Sequence, residues 1–329
     1  MYLRDYLTIK ERREALEREM NVSLKNIGLC STDEGIASVK NCENMIGGIH
    51  VPVGVAGPLL IRSKLQDREI YVPLATTEGA LVASVARGSK AITQSNGATI
   101  RSKRVGISRA PVFAIQNLKE AEETTTWLDS QILHIKKVAE KTSSHVTFLS
   151  LKHWLVGKNL FVRFVFDTQD AMGMNMITIA VTEIAKEIEK NTPAKLIAVS
   201  GNMCVDKKAN TLNVIEGRGI QVWAEVVLSK NILTETLKTT PEKFIEVIQR
   251  KVYLGSILSG SIGANSHAAN VLAALFLATG QDIAHVAEAA SVVTSAELLE
   301  NGIYVSVFLP DLPIGTVGGG TNLSTQKEA

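Results

Sequence analysis

The chain has little of what marks several protein classes, and each absence narrows the reading. Cysteine is scarce: Cys30, Cys42 and Cys204 are too few and too scattered for a disulfide framework or a zinc site. A reducing, cytoplasmic setting is therefore expected. Long apolar runs are missing, and the longest, Val271 to Ala278, falls far short of the ~20 residues a membrane helix needs. The opening residues Met1 to Asp5 bring charge early and lack the apolar stretch of a signal peptide. One-sided charge is missing too. The 35 basic and 33 acidic residues nearly cancel to +2, which argues against a nucleic-acid binder yet leaves room for a local cluster that holds a small anion. None of the six histidines pairs with another ligand at metal-binding spacing, so no metal site is expected.

What is present is globular. Hydrophobic residues make up 45% and charged residues 21% of 329, enough for about two domains with a sizeable core. Thr8-Ile9-Lys10-Glu11 is a capping-box pattern that predicts a charged, solvated helix to about Met20. Gly47 to Pro58 reads as irregular backbone entering a strand. From Pro111 the pattern is clearer: a strand to Ile115, a helix Leu118–Thr142, strands Val146–Val156 and Asn159–Phe166 joined by Gly157-Lys158, a helix Ala171–Lys190, and a strand Lys195–Val199. This βαββαβ order is the ferredoxin-like plan, and Gly- and Ala-rich segments flank it on both sides. A strand Ile220–Leu228, a helix Pro241–Leu258 with proline at its first position, and an Ala-rich helix His267–Ala278 follow.

Several junctions stand out. Thr76-Thr77-Glu78-Gly79 opens a helix of small residues, with Thr77 as its cap and Glu78 in its first turn. Ser84, Arg87 and Lys90 recur every third residue, as a solvated stripe or a phosphate-facing one. Asp170 to Asn175 stands where a strand gives way to a helix, and free N–H groups there suit an anion as well as a plain Asp cap. Asp206-Lys207-Lys208 lies in a connection, and Asp282 in Gly280-Gln281-Asp282 is placed to cap a helix. Gly315 to Thr321 holds three consecutive glycines, which suggests backbone packed closely against something, a phosphate chain included. No G-x-G-x-x-G follows a strand, so the dinucleotide fingerprint of a Rossmann fold is absent.

Taken together and in order, these segments resemble 3-hydroxy-3-methylglutaryl-CoA (HMG-CoA) reductase. The matching stretches are Glu43 to Gly47, Val53 to Leu59, Ala75 to Gly79, Asp170 to Asn175, Ser200 to Lys208, Glu216 to Gly219, Gly260 to Gly263, His267 to Asn270, Gly280 to Asp282 and Gly315 to Thr321. Met174 and the Thr-Thr-Glu-Gly form resemble the biosynthetic class. The resemblance implies an α+β fold in three parts: an N-terminal helical segment (1–46), a large HMG-CoA-binding domain (47–110 and 198–329), and an inserted ferredoxin-like cofactor domain (111–197).

It also implies the chemistry, a four-electron reduction of HMG-CoA to mevalonate and CoA. Lys207 would stabilise the carbonyl oxygen, Glu78 would donate a proton, and Asp282 would sit between them. Arg109, Ser200, Lys208 and Lys251 would hold the substrate carboxylate, with Asn270 orienting the reacting end and Arg87, Lys90 and His267 toward CoA. NADPH would meet Asp170, Met172, Gly173, Met174, Asn175, Val317, Gly318 and Gly319. Ser144 stands where the biosynthetic class carries an arginine for the 2′-phosphate, so NADH stays open. A homodimer with a shared active site is expected, and neither nucleic acid nor membrane is an expected partner. The family's C-terminal catalytic histidine has no counterpart before Ala329, so a truncated chain impaired in thioester reduction is expected. The competing reading is a fragment that binds CoA or nucleotide without turnover. An acyl transferase would need a nucleophile, and Cys204, the one thiol near the proposed site, has no matching histidine.

Overall fold

The computed structural model describes residues 6–26, 28–29 and 33–329. The charged opening residues 1–5 and Cys30 lie outside the described residues. Helix α1 (Ile9–Met20) begins as its capping box dictates: Thr8 Oγ1 accepts from the Glu11 amide, and Glu11 Oε2 accepts from that of Thr8. It is not wholly solvated, because Ile9 packs with Ala37 of α2 (Glu34–Lys40) and with Met45.

Among the described residues, ten strands form one sheet system. They are β1 (Val53–Arg62), β2 (Arg68–Ala75), β3 (Ala98–Arg109), β4 (Val112–Ala114), β5 (Thr147–Val156), β6 (Asn159–Asp167), β7 (Lys195–Ala198), β8 (Arg218–Ser229), β9 (Val293–Leu299) and β10 (Gly302–Leu312). One part pairs β3–β8–β10–β9, with the β1–β2 hairpin joined at the start of β3. Helix α3 (Leu81–Gln94) and the Ala-rich helix Ala268–Ala278 cover it, and their small side chains let Leu81 and Ala274 meet Ala56 and Leu74.

The other part has the strand order β7-β4-β6-β5, antiparallel throughout. In chain order this is fourth, first, third, second, the ferredoxin-like arrangement. Along β6, Leu160, Val162, Phe164 and Phe166 are buried at alternate positions, as a two-residue period requires. They meet Ile177, Ala180, Val181, Ile184, Ala185 and Ile188 of helix α6 (Met174–Asn191), spaced as one helical face. Each large side chain so buried contributes about 1.5–3 kcal/mol.

Three helices differ from expectation. The predicted Leu118–Thr142 helix is two, α4 (Leu118–Ser130) and α5 (Ile132–Glu140), broken where Gln131 leaves helical geometry. The predicted Pro241–Leu258 helix passes from α into a π-helical stretch, Ile248–Gly255, before Ser256–Ser259. The helix after Glu78 begins three residues later than expected, at Leu81. Thr77 does not cap it, since Ala80 occupies the cap with φ 69° and no side-chain bond. Thr76 Oγ1 instead accepts the Glu78 amide at 2.9 Å, which leaves Glu78 in an exposed loop. No helix among the described residues is long and apolar enough to cross a membrane.

Candidate active site

The two segments that suited an anion are one structure. The Thr316 and Val317 amides both donate to the Asp170 carbonyl, and Ala171 and Val317 form a parallel β-bridge. Gly315 makes that approach possible, since a Cβ there would lie 2.5 Å from the Met172 amide nitrogen. Of the two readings open for Asp170, a plain helix cap is not what forms. The chain turns at Gly173, with φ 87°, because a Cβ there would fall 2.4 Å from the Thr168 side chain, and α6 starts at Met174. No side chain caps α6, so its first amides stay open at the positive helix end.

That helix end lines a cleft of about 780 Å³. Its walls hold Met172, Gly173, Met174 and Asn175 on one side, and Val317, Gly318 and Gly319 on another. Lys207, Asp282 and Arg109 line the same cleft. Asp170, exposed, lies just outside these walls and pairs with Arg104 at 3.7 Å.

Lys207 Nζ lies 2.7 Å from Asp282 Oδ2. Asp282 caps a short 3-10 helix (Ile283–His285) as expected, with Oδ1 accepting the Ala284 amide, so both its oxygens are committed. Burial pushes this carboxyl up, but the hydrogen bonds from Lys207 and Ala284 prevail and hold it below the usual carboxylate range. The backbone around Lys207 is strained: Asn202, Val205 and Lys207 all have left-handed φ, at 65°, 54° and 60°.

Beneath that loop lies a buried charged network that the sequence did not reveal. The Arg218 side chain is fully buried; its Nη1 donates to both oxygens of Glu288 (2.9 and 2.8 Å) and its Nη2 to Asp206 Oδ1 (3.2 Å). The Lys207 amide donates to Glu288 Oε1 at 3.0 Å. His285 Nδ1 lies 2.5 Å from that same oxygen. Asn213 Nδ2 donates to Glu288 Oε2 and Asp311 Oδ2, and Asn213 Oδ1 accepts from Arg163. Burial raises the Glu288 carboxyl, yet His285 and Arg218 outweigh it and keep the group low. Burial and the adjacent Glu288 charge push Asp311 up to about 8. The ligand-capable atoms of Asp206, His285 and Glu288 lie within 4.8 Å of one another, contrary to the expectation that no histidine has such neighbours. The charge these carboxylates hold is that of Arg218.

The remaining candidates are dispersed. Glu78 Oε1 accepts from Asn270 Nδ2 at 3.3 Å, and no hydrogen bond or ion pair joins it to Lys207 or Asp282 within the protomer. Within one chain Asp282 bonds Lys207 and the Ala284 amide and makes no hydrogen bond to Glu78. The expected carboxylate clamp is not drawn together either. Arg109 Nη2 donates to Thr178, Ser200 pairs with Cys204, Lys208 donates to the Asp206 carbonyl, and Lys251 stands exposed on the π-helical stretch. Arg87 and Lys90 line a separate cleft of about 590 Å³ with Gly57, Pro58 and Glu235. His267 is exposed at the start of the Ala-rich helix.

Comparison with known proteins fits this arrangement. The family model described as hydroxymethylglutaryl-coenzyme A reductase matches residues 8–329. The 3-hydroxy-3-methylglutaryl-coenzyme A reductase of Methanocaldococcus jannaschii is 47% identical over 323 residues, covering 96% of this chain and 80% of that protein. That of Pyrococcus abyssi is 46% identical over 326 residues, covering 98% and 80%. The class II enzyme of Streptococcus pneumoniae, solved bound to NADPH in open conformations, shares the fold at a TM-score of 0.71 with 16% identity, over 99% of this chain and 89% of that one. The chain belongs to the hydroxymethylglutaryl-coenzyme A reductase family.

Proposed function

We propose that the protein reduces HMG-CoA to mevalonate and CoA with NADPH. The observation that carries this reading is the Lys207 ammonium, fixed by Asp282 at 2.7 Å on the wall of the cleft that the α6 N-terminus and the glycine loop share. Reduction of a carbonyl builds negative charge on its oxygen, and an oriented ammonium in a sheltered cleft stabilises that charge. Asp282, held ionised, keeps Lys207 aimed. The cleft fits a dinucleotide: the uncapped α6 amides favour an anionic group, and Gly318 and Gly319 face open space where a side chain would intrude. NADPH would lie along Met172 to Asn175 and Val317 to Gly319 and supply hydride. Glu78, oriented by Asn270, would serve as proton donor. Residues 111–197 would form the cofactor unit, with 47–110 and 198–329 the substrate unit and 1–46 a helical lead. Arg109, Ser200, Lys208 and Lys251 would meet the substrate carboxylate only once substrate draws them inward, and Arg87, Lys90 and His267 would face CoA.

The test follows nicotinamide oxidation spectrophotometrically with HMG-CoA and, separately, with mevaldehyde, using NADPH and then NADH. Substrate-dependent oxidation is expected, with the lower Michaelis constant for NADPH. Absence of oxidation with both substrates would sink the reading.

Glu78 makes no bond to Lys207 or Asp282 within one protomer, and a homodimer in which two subunits complete each site would bring the groups together. Mixing Glu78→Gln protein with Lys207→Met protein under subunit exchange is then expected to restore part of the activity that each lacks alone. No restoration in a demonstrably mixed dimer would place both groups in one chain.

A further inference from the structure

The site as proposed uses Lys207 and Asp282 but leaves His285 without a task, although it is buried directly behind them. Its side chain is 1% exposed. Nδ1 faces Glu288 Oε1 at 2.5 Å, and because Glu288 stays ionised it can only accept, so Nδ1 carries the hydrogen. Nε2 is buried and has no hydrogen-bond partner. It points toward Asp282 Oδ2 at 3.7 Å, the very oxygen that holds Lys207.

With Nδ1 committed, Nε2 has two states. Bare, it sets a lone pair against a carboxylate oxygen, and the two repel. Protonated, it offers Asp282 Oδ2 a second donor beside Lys207. Charged groups enclose the ring. The 202–207 loop contributes Asp206 (3.6 Å from Nδ1) and Lys207, and the histidine's own segment contributes Asp282 and Glu288. Strand β8 contributes Arg218. Farther back, Asp311 of β10 and Arg163 of β6 meet through Asn213. Asp206, Asp282 and Glu288 thus surround the ring together with Lys207 and Arg218, and a hydrogen on Nε2 would give this orphaned nitrogen a partner in Asp282.

We propose that His285 is a positioning residue that, by taking a proton at Nε2, steadies Asp282 and so fixes Lys207 on the reacting carbonyl. The ring never touches substrate. Without that hydrogen the pair loosens and carbonyl reduction slows. The inference rests on the reductase reading, and its test separates the two.

Three proteins are compared with NADPH and mevaldehyde across pH: wild type, His285→Gln, which keeps a donor that does not titrate, and His285→Leu, which keeps none. Wild type is expected to lose kcat as pH rises, and the Gln variant to lack that limb. The Leu variant is expected to lose about tenfold in kcat with KM changed by less than about twofold. A wild-type limb retained in His285→Gln, or wild-type kcat in His285→Leu, overturns the proposal. Should His285→Leu fail to fold by circular dichroism, the Gln profile decides. Nitrogen NMR of the wild-type ring reads Nε2 directly and needs no turnover. A ring that is bare at Nε2 throughout overturns the proposal even if the protein reduces nothing, and a ring that gains the proton supports it. Wild type that leaves both HMG-CoA and mevaldehyde unreduced sinks the reductase reading instead.

Discussion

Lys207→Met is expected to lower kcat for mevaldehyde reduction by about 100- to 1,000-fold while barely moving the melting temperature. The asymmetry follows from exposure. The Lys207 and Asp282 side chains are 41% and 39% exposed, so water screens their attraction, and such a pair contributes at most about 1 kcal/mol to stability. In the proposed reaction its value lies in direction, because the ammonium would be held where charge develops. Methionine keeps the stem and removes the charge. Asp282→Asn is expected to cost less, since an amide oxygen can still accept from Lys207 but no longer favours its charged form. Steady-state kinetics with a melting curve on each variant checks both. A Lys207→Met protein with more than a tenth of wild-type kcat would mean the oxyanion is stabilised elsewhere.

Arg218→Met should do the reverse and act on the fold. It removes a cation with a fully buried side chain that bonds both oxygens of Glu288 and one of Asp206. Stranding Glu288, whose side chain is also fully buried, is expected to cost about 3–5 kcal/mol, measured by urea denaturation. The double variant Arg218→Met/Glu288→Leu should recover much of that loss, because it buries neither charge alone. Activity should not return with it, since Glu288 also anchors the Lys207 amide under a strained loop. A single variant as stable as wild type would mean that water reaches the network.

Local chemistry made much of this molecule legible. The Thr8 capping box, the alternation along β6 and the helical spacing in α6 are patterns written in neighbouring residues, and each appears where expected. Asp282 was readable as a cap for the same reason. Its place beside Lys207 followed only from the family resemblance, and the docking of the glycine loop on Asp170 was not legible at all, since both join segments far apart in sequence. The buried network was not legible. Asp206, Arg218, Glu288 and Asp311 each look like a solvated charge until tertiary packing shuts water out. The one local hint was the spacing of His285 and Glu288, three residues apart at a helix start, which puts both on one side. The π-helical stretch that carries Lys251 is equally opaque, because its residues keep ordinary helical spacing.

Strand β3 belongs to both halves of the sheet. Thr99 to Gly106 pair with β8, and Ile107 to Arg109 pair with β6. A swivelling hinge between the two halves would have to tear this shared ribbon. Loss of either half on heating should therefore drag the other with it in one cooperative melt.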